Sequence, residues 1–256
     1  MTTELLTERQ SSTLLMTLSG PATRNALSSQ VYAAGIELLN VADSDPTVRA
    51  VVITGAGGHF CGGGDLHSLA HNRQHDIHLQ GSNIDAFHQW IAAIHSFPKP
   101  VIAAVEGVAA GGGLSLALAC DLLVTGDNAR FVSAYSRLGL SPDGAGSWQL
   151  ARTLPRQLAL SWLWQGSDMS AQQLQHLGLV HEVAPAGQVL ERALALAESL
   201  AQAPAGVLAS IKELINDGPT QSLSDHLAAE KRHFLVNLSR PQAGHAISAF
   251  LSRKKD

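Results

Sequence analysis

Two glycine-rich turns, Phe60-Cys61-Gly62-Gly63-Gly64-Asp65-Leu66 and Gly107-Val108-Ala109-Ala110-Gly111-Gly112-Gly113-Leu114, each follow an apolar strand-like run and lead into a helix-like one. Glycine lets a main chain approach a bound group closely, and amides at a helix start point outward. Gly64, just ahead of Asp65, and Gly112, the central glycine of its triplet, therefore carry candidate oxyanion donors. Two such donors on one carbonyl oxygen are worth several kcal/mol when enolisation or addition drives charge onto a thioester. The plainer alternative is that these glycines only permit tight turns and close packing. Asp143, in Gly139-Leu140-Ser141-Pro142-Asp143-Gly144-Ala145-Gly146, offers a carboxylate at the mouth of a helix. It could relay a proton between two carbons, or simply cap the helix starting near Gly144.

Other chemistries have less support. Neither turn contains G-x-G-x-x-G or G-x-x-x-x-G-K-[ST], so dinucleotide and P-loop sites are not indicated. H-E-x-x-H and Cys-x-x-Cys are missing as well, and no metal is expected. Ser115 would need glycine two residues on either side to form a nucleophile elbow, and Gly113-Leu114-Ser115-Leu116-Ala117 lacks the second. Cys61 stands beside the first turn, where a small residue serves packing. With 17 basic and 21 acidic residues, a net charge of −4 and no long basic run, a nucleic-acid partner is not expected. The two cysteines, Cys61 and Cys120, fit a reducing cytoplasm, and neither a signal-type start nor a membrane-length apolar run is visible.

The elements that must hold these residues follow from periodicity. Residues 5–9 and 13–18 read as a hairpin, and Ser28 or Ser29 caps a helix carrying Val31, Ile36, Leu38, Leu39 and Val41 at helical spacing. Ala50-Val51-Val52-Ile53-Thr54 and Val101 to Val105 are continuous apolar runs, as expected of strands buried on both faces. Residues 67–82, with His71, His75 and His78 but no sustained period, read as a flap. Asn83 to Phe97 reads as a helix, as does Gly112 to Cys120, with strands at 122–125 and 130–134. The order is α/β. Beyond residue 186 the pattern is helical, broken at Pro204, Gly218-Pro219 and Pro241, and this tail should pack on the core or a neighbouring subunit. Of the four tryptophans, Trp90, Trp162 and Trp164 read as core or interface, whereas Trp148 could shape a pocket.

The first glycine turn, Lys99-Pro100-Val101-Ile102-Ala103-Ala104-Val105-Glu106-Gly107, the triplet at 111–113, Asp121 and Leu138 to Gly146 together resemble the enoyl-CoA hydratase/isomerase (crotonase) superfamily. The likeness runs from Pro21-Ala22-Thr23-Arg24-Asn25-Ala26-Leu27 to Ala249-Phe250-Leu251. It implies a spiral of ββα turns over residues 1–186 with the acyl-CoA site, and a helical region at 187–256 that forms trimers, often paired into hexamers. It also implies a coenzyme A thioester substrate with no separate cofactor. The oxyanion donors fall on Gly64 and Gly112. Arg24, Ala26, Leu27, Gly62, Gly63, Asp65 and Leu66 would line the coenzyme A site, and Phe250 and Lys254 would reach it across a subunit boundary.

The chain departs from the family's hydratases, whose two glutamates map to Ser115 and Tyr135 here. Neither side chain replaces a carboxylate at neutral pH. The Asp143 segment and Phe131-Val132-Ser133-Ala134-Tyr135-Ser136-Arg137 instead resemble the phenylacetate-pathway isomerases, where an aspartate at this place shuttles protons. His88, in Phe87-His88-Gln89-Trp90, together with Asp143 also resembles the 4-chlorobenzoyl-CoA dehalogenases, which carry a tryptophan where Tyr135 stands. The leading expectation is an acyl-CoA isomerase with Asp143 as general acid/base. Hydration, dehalogenation and a non-catalytic acyl-CoA-binding module are the alternatives.

Overall fold

The computed structural model describes residues 2–253. The chain opens as the expected hairpin, β1 (Glu4–Gln10) pairing antiparallel with β2 (Thr13–Ser19). Next come α1 (Ser29–Ser44), β3 (Ala50–Gly55), α2 (Leu66–His75), α3 (Ile77–Ser96), β4 (Val101–Val105), β5 (Val108–Ala110) and α4 (Gly112–Ala119). β6 (Leu122–Gly126), β7 (Arg130–Val132), α5 (Gly146–Thr153), α6 (Arg156–Gln165), β8 (Asp168–Ser170), α7 (Ala171–His176) and β9 (Glu182–Ala184) complete the sheets. The chain ends in α8 (Val189–Ala201), α9 (Val207–Asp217), α10 (Leu223–Leu238) and α11 (Pro241–Arg253).

One sheet has the order β1-β2-β3-β4-β6-β9, parallel from β2 onward, and a second has the order β5-β7-β8. A bridge between Cys61 and Ala109 adds the first glycine turn to the small sheet beside β5. Successive turns of chain thus place one strand in each sheet and return through a helix, the spiral expected from the sequence.

The central strands are apolar throughout because both faces are covered. Val51, Ile53, Val101, Ala103 and Val105 face the core that holds Phe87 and Trp90, while Ala50, Val52, Ile102 and Ala104 face α8. Val189, Ala193 and Ala197 of α8 recur every fourth residue, so their small side chains let that helix lie close on the sheet. Each buried valine or isoleucine contributes about 1.5–3 kcal/mol. α4 is buried on every side, which explains its uniformly apolar sequence.

Residues 67–82 are a correction: the expected flap is helical. Asp65 caps α2, accepting from His67 N at 3.0 Å, and Asp76 ends α2 and caps α3, accepting from Leu79 N at 3.0 Å. α2 buries Asn72 alone, so it carries no apolar stripe for periodicity to detect. Of the two candidate caps for α1, the structure uses Ser28.

α9 is tied to the body by charge. Lys212 Nζ lies 2.8 Å from the Asp121 carboxylate and donates to Ile94 O at 3.0 Å. Asp121 also accepts from Val101 N at 2.8 Å, and its partial burial pushes the carboxyl up against the pull of Lys212. Among the described residues no helix is long and apolar enough to cross a membrane.

Candidate active site

The two glycine turns lie against each other. Cys61 N donates to Val108 O at 3.0 Å and Ala110 N to Cys61 O at 2.9 Å, setting the first turn in register with β5. Gly63 sits at φ +94°, where a Cβ would lie 2.7 Å from Ala110 O and 3.4 Å from Gly112 N. Only glycine fits there. At Gly64, by contrast, a Cβ would meet nothing within 4 Å, so packing does not demand glycine at that position. Among the described residues neither the Gly64 nor the Gly112 amide has a hydrogen-bond acceptor, and Gly112 is the first residue of α4, where a helix leaves its N–H unpaired.

The segment 24–27 braces the first turn. Gly62 N donates to Arg24 O at 2.8 Å and Leu27 N to Gly63 O at 2.7 Å. Arg24 and Asn25 both take left-handed backbone, at φ +54° and +57°. Asn25 is fully buried; its amide donates to Ala56 O at 2.9 Å and His59 O at 2.8 Å, and its oxygen accepts from Gly20 N at 2.9 Å. Sequence reasoning took this residue only as part of the segment 24–27 and gave it no role of its own, although asparagine is among the few side chains that tolerate such backbone. Arg24 is exposed, Ala26 half-buried and Leu27 buried, with a methyl packed near Gly112. Asp65 is occupied in capping α2, and hydrogen bonds from Ser68 and His67 hold its carboxyl below the usual range. Leu66 is exposed at the start of that helix.

Asp143 does not cap α5. The N-cap of that helix is Ala145, with no side-chain hydrogen bond. Instead the Tyr135 hydroxyl donates to Asp143 Oδ1 at 2.6 Å, Ser115 Oγ donates to Asp143 O at 2.8 Å, and the two hydroxyls are 3.3 Å apart. Tyr135 and Ser115 are buried, and burial together with the charge of Asp143 pushes the Tyr135 phenol far up, keeping it protonated. Ser115 and Tyr135 are thus adjacent, and both donate to Asp143.

Phe87 backs the arrangement. Its ring packs near Gly112, leaves no room for a side chain at Gly144, and stacks on Tyr32 with centroids 5.1 Å apart. Tyr32 is a second residue that the sequence reading missed. Its hydroxyl is pushed up by burial first and by the charges of Asp143 and Cys61 after that. Helical spacing assigned α1 a core face, and nothing in that pattern marks one core tyrosine as a neighbour of a carboxylate.

His88 is exposed on α3, and among the described residues no hydrogen bond joins it to Asp143. It lines a mainly apolar cavity of about 340 Å³ with Ile91, Ala92, Trp148 and Ala145, the last of these two residues on from Asp143. Trp148, 38 % exposed, takes the edge of His95 at 5.3 Å and the Arg152 guanidinium at 3.6 Å. A larger cavity of about 550 Å³ lies beneath α9, around the Asp121–Lys212 pair. The smaller one reaches through Ala145 to the segment that carries Asp143. Ser115 meets Asp143 through its main chain and no histidine, so the elements of a serine hydrolase are not assembled. Phe250 lies on α11, and Lys254 falls outside the described residues. Trp90 and Trp162 are core residues, as expected, and Trp164 is largely exposed. Among the described residues no group of three or more His, Cys, Asp or Glu side chains could hold a metal ion.

With this geometry in hand, comparison with known proteins is informative. The sequence model of the enoyl-CoA hydratase/isomerase family matches residues 8–256. A 2,3-dehydroadipyl-CoA hydratase of Escherichia coli (strain K12) is 36% identical over 251 residues, covering 98% of this chain and 96% of that protein. A 1,2-epoxyphenylacetyl-CoA isomerase of the same strain is 32% identical, with the same 98% and 96% coverage. Among solved structures, an enoyl-CoA hydratase from Polaromonas sp. JS666 superposes with a TM-score of 0.95 at 51% identity, covering 97% of each chain.

Proposed function

This chain belongs to the enoyl-CoA hydratase/isomerase (crotonase) family and is an enzyme with that family's fold, and we propose that within the family it is an acyl-CoA isomerase. The thioester oxygen accepts from the Gly64 and Gly112 amides, and Asp143 takes a proton from the carbon next to the thioester. That C–H electron pair enters the enolate, whose charge rests on the gripped oxygen. Asp143 then returns the proton to a carbon further along the chain, and the double bond has moved. One carboxylate suffices for this exchange. The observation that carries the reading is the Ser115–Tyr135–Asp143 cluster: two neutral hydroxyls stand at the glutamate positions, Tyr135 holding the Asp143 carboxylate and Ser115 its main-chain oxygen.

In this proposal Arg24, Ala26, Leu27, Gly62, Gly63, Asp65 and Leu66 border the coenzyme A moiety, with Phe250 and Lys254 approaching from another subunit. Trp148 shapes the acyl end. Coenzyme A comes with the substrate and no other cofactor is needed. The working assembly is a homotrimer, or two trimers paired.

Hydration is the second reading, favoured by the hydratases at 36% and 51% identity. One experiment separates the two. Aliphatic and aromatic acyl-CoAs are incubated with wild type and Asp143→Asn in H₂¹⁸O/D₂O, and products are read by mass spectrometry and NMR. Isomerisation gives proton relocation without ¹⁸O uptake, lost about 10²–10⁴-fold in Asp143→Asn while acyl-CoA binding persists. Uptake of ¹⁸O selects hydration, and unchanged turnover in Asp143→Asn discards the aspartate as the proton carrier.

A further inference from the structure

We propose that Tyr135 is a positioning residue that leaves Asp143 a single working oxygen, so that the proton taken from the acyl chain returns to the acyl chain rather than to water. The inference rests on the isomerase reading above and deepens it. The family relationship does not supply it. It comes from the way the carboxylate is held.

Asp143 is fixed at two points. Its main-chain oxygen accepts from Ser115 Oγ at 2.8 Å, and its Oδ1 accepts from the Tyr135 hydroxyl at 2.6 Å, a short charge-assisted bond. The donors are rigid: Ser115 is 1 % exposed on the all-buried α4, and Tyr135 is 8 % exposed. Ser115 is further confined beneath Gly146, where a Cβ would come within 2.6 Å of its hydroxyl. The other carboxylate oxygen has no partner among the described residues, and the helix next in sequence makes no claim on it. A phenol has one hydrogen. With that hydrogen on Oδ1, Oδ2 is the oxygen left without a protein partner among the described residues, and it is the one free to take up a proton from the substrate.

The consequence is kinetic. The C–H bond at the donor carbon breaks, its electron pair passes into the enolate, and an O–H bond forms at Oδ2. The reverse step at the acceptor carbon breaks that O–H bond and regenerates the carboxylate. Between the two steps the bond from Tyr135 opposes turning of the acid about its Cβ–Cγ bond, so that its O–H stays directed at the acyl chain. That rotation would break the bond to Tyr135. While the clamp holds, the same proton leaves one carbon and arrives at the other.

The test uses but-3-enoyl-CoA and hex-3-enoyl-CoA carrying two deuterons on the α-carbon, with the γ-deuterium content of the product read by NMR and mass spectrometry. Wild type should deliver most of the label to the γ-carbon. In Tyr135→Phe the transferred fraction should fall at least threefold and kcat about ten- to a hundredfold, with KM changed less than threefold. Near-UV circular dichroism checks that this variant is folded. As a second route, 3-fluorotyrosine placed at position 135 keeps the shape and alters only the hydroxyl, and it should also change the retained fraction. A purely structural role predicts label retention equal to wild type in both variants, and that result overturns the proposal. If wild type moves no label, or Asp143→Asn moves it as well as wild type does, the isomerase reading itself falls and the inference with it. Loss in Asp143→Asn with full retention in both Tyr135 variants sinks the inference alone.

Discussion

At the scale of single residues, Cys61 shows how position next to a reactive turn differs from reactivity. It stands two residues before Gly63, yet it is fully buried, its thiol donates to Asn25 O at 3.2 Å, and it accepts from Gly63 N at 3.4 Å. Burial pushes the thiol from an ordinary 9.0 up to about 12. The nucleophile is the thiolate, so native protein at pH 8 should leave Cys61 unmodified by iodoacetamide, with labelling appearing only after unfolding. The same shift bears on stability. In the folded state the thiol keeps its proton where the unfolded chain has lost it, so stability is full below the unfolded value. It then declines as pH rises between 9.0 and about 12, by up to ~1.4 kcal/mol per pH unit for a fully shifted thiol. Cys120, also pushed up by burial, adds in the same direction. Urea midpoints at pH 8, 9 and 10 should therefore fall more steeply in wild type than in a Cys61→Ala, Cys120→Ala variant. Parallel declines would refute the assignment. Residues of this kind were half legible: Asp143, Tyr135 and Ser115 could be picked out by motif position, but that all three bond to one another is a fact of packing. Asn25 and Tyr32 were illegible because their roles consist of burial and neighbours that no local pattern encodes.

At the scale of elements, the two glycine turns depend on approach distance. A methyl at Gly63 would press on Ala110 O at 2.7 Å and would have to survive φ +94°, whereas a methyl at Gly64 meets nothing within 4 Å. Gly63→Ala should thus lower the urea midpoint by an amount equivalent to about 2–4 kcal/mol and abolish turnover, because the turns are forced apart. Gly64→Ala should unfold at the wild-type midpoint and yet lose activity, since its methyl would fill the space before the amide. Equal midpoints for both variants would contradict the packing described here. The buried strands were readable in advance because a strand covered on both faces must be apolar at every position, and β3 and β4 are. The α2–α3 junction was not, because α2 is specified by capping aspartates at 65 and 76 while nearly all of its surface faces water. Read for periodicity alone, such a helix is indistinguishable from a loop.

At the scale of the whole molecule, the C-terminal helices divide into one that belongs to the core and others that present apolar surface. α8 is part of the sheet's own core, but Ile211, Ile215, Leu223, Leu227, Phe234 and Leu235 on α9 and α10 are each more than half exposed. An apolar surface of this extent is unfavourable on an isolated chain and is normally covered by another protein surface. α9 is meanwhile clamped to the body by Lys212 and Asn216, through bonds of 2.8 Å to Asp121 and 3.1 Å to His95 O. Its apolar face is therefore presented in a fixed orientation, as a closed symmetric assembly requires. Sedimentation equilibrium should return three copies of the 26.9 kDa chain, or six if trimers pair. Charges placed at Ile215 and Phe234 should shift the protein to monomer. If Phe250 and Lys254 serve a neighbour's coenzyme A site as proposed, that monomer should bind acyl-CoA at least tenfold more weakly while Asp143 and its two hydroxyl partners remain in place. Monomeric wild type, or a charged monomer that binds acyl-CoA as tightly as the assembly does, would show that each chain carries a complete site of its own.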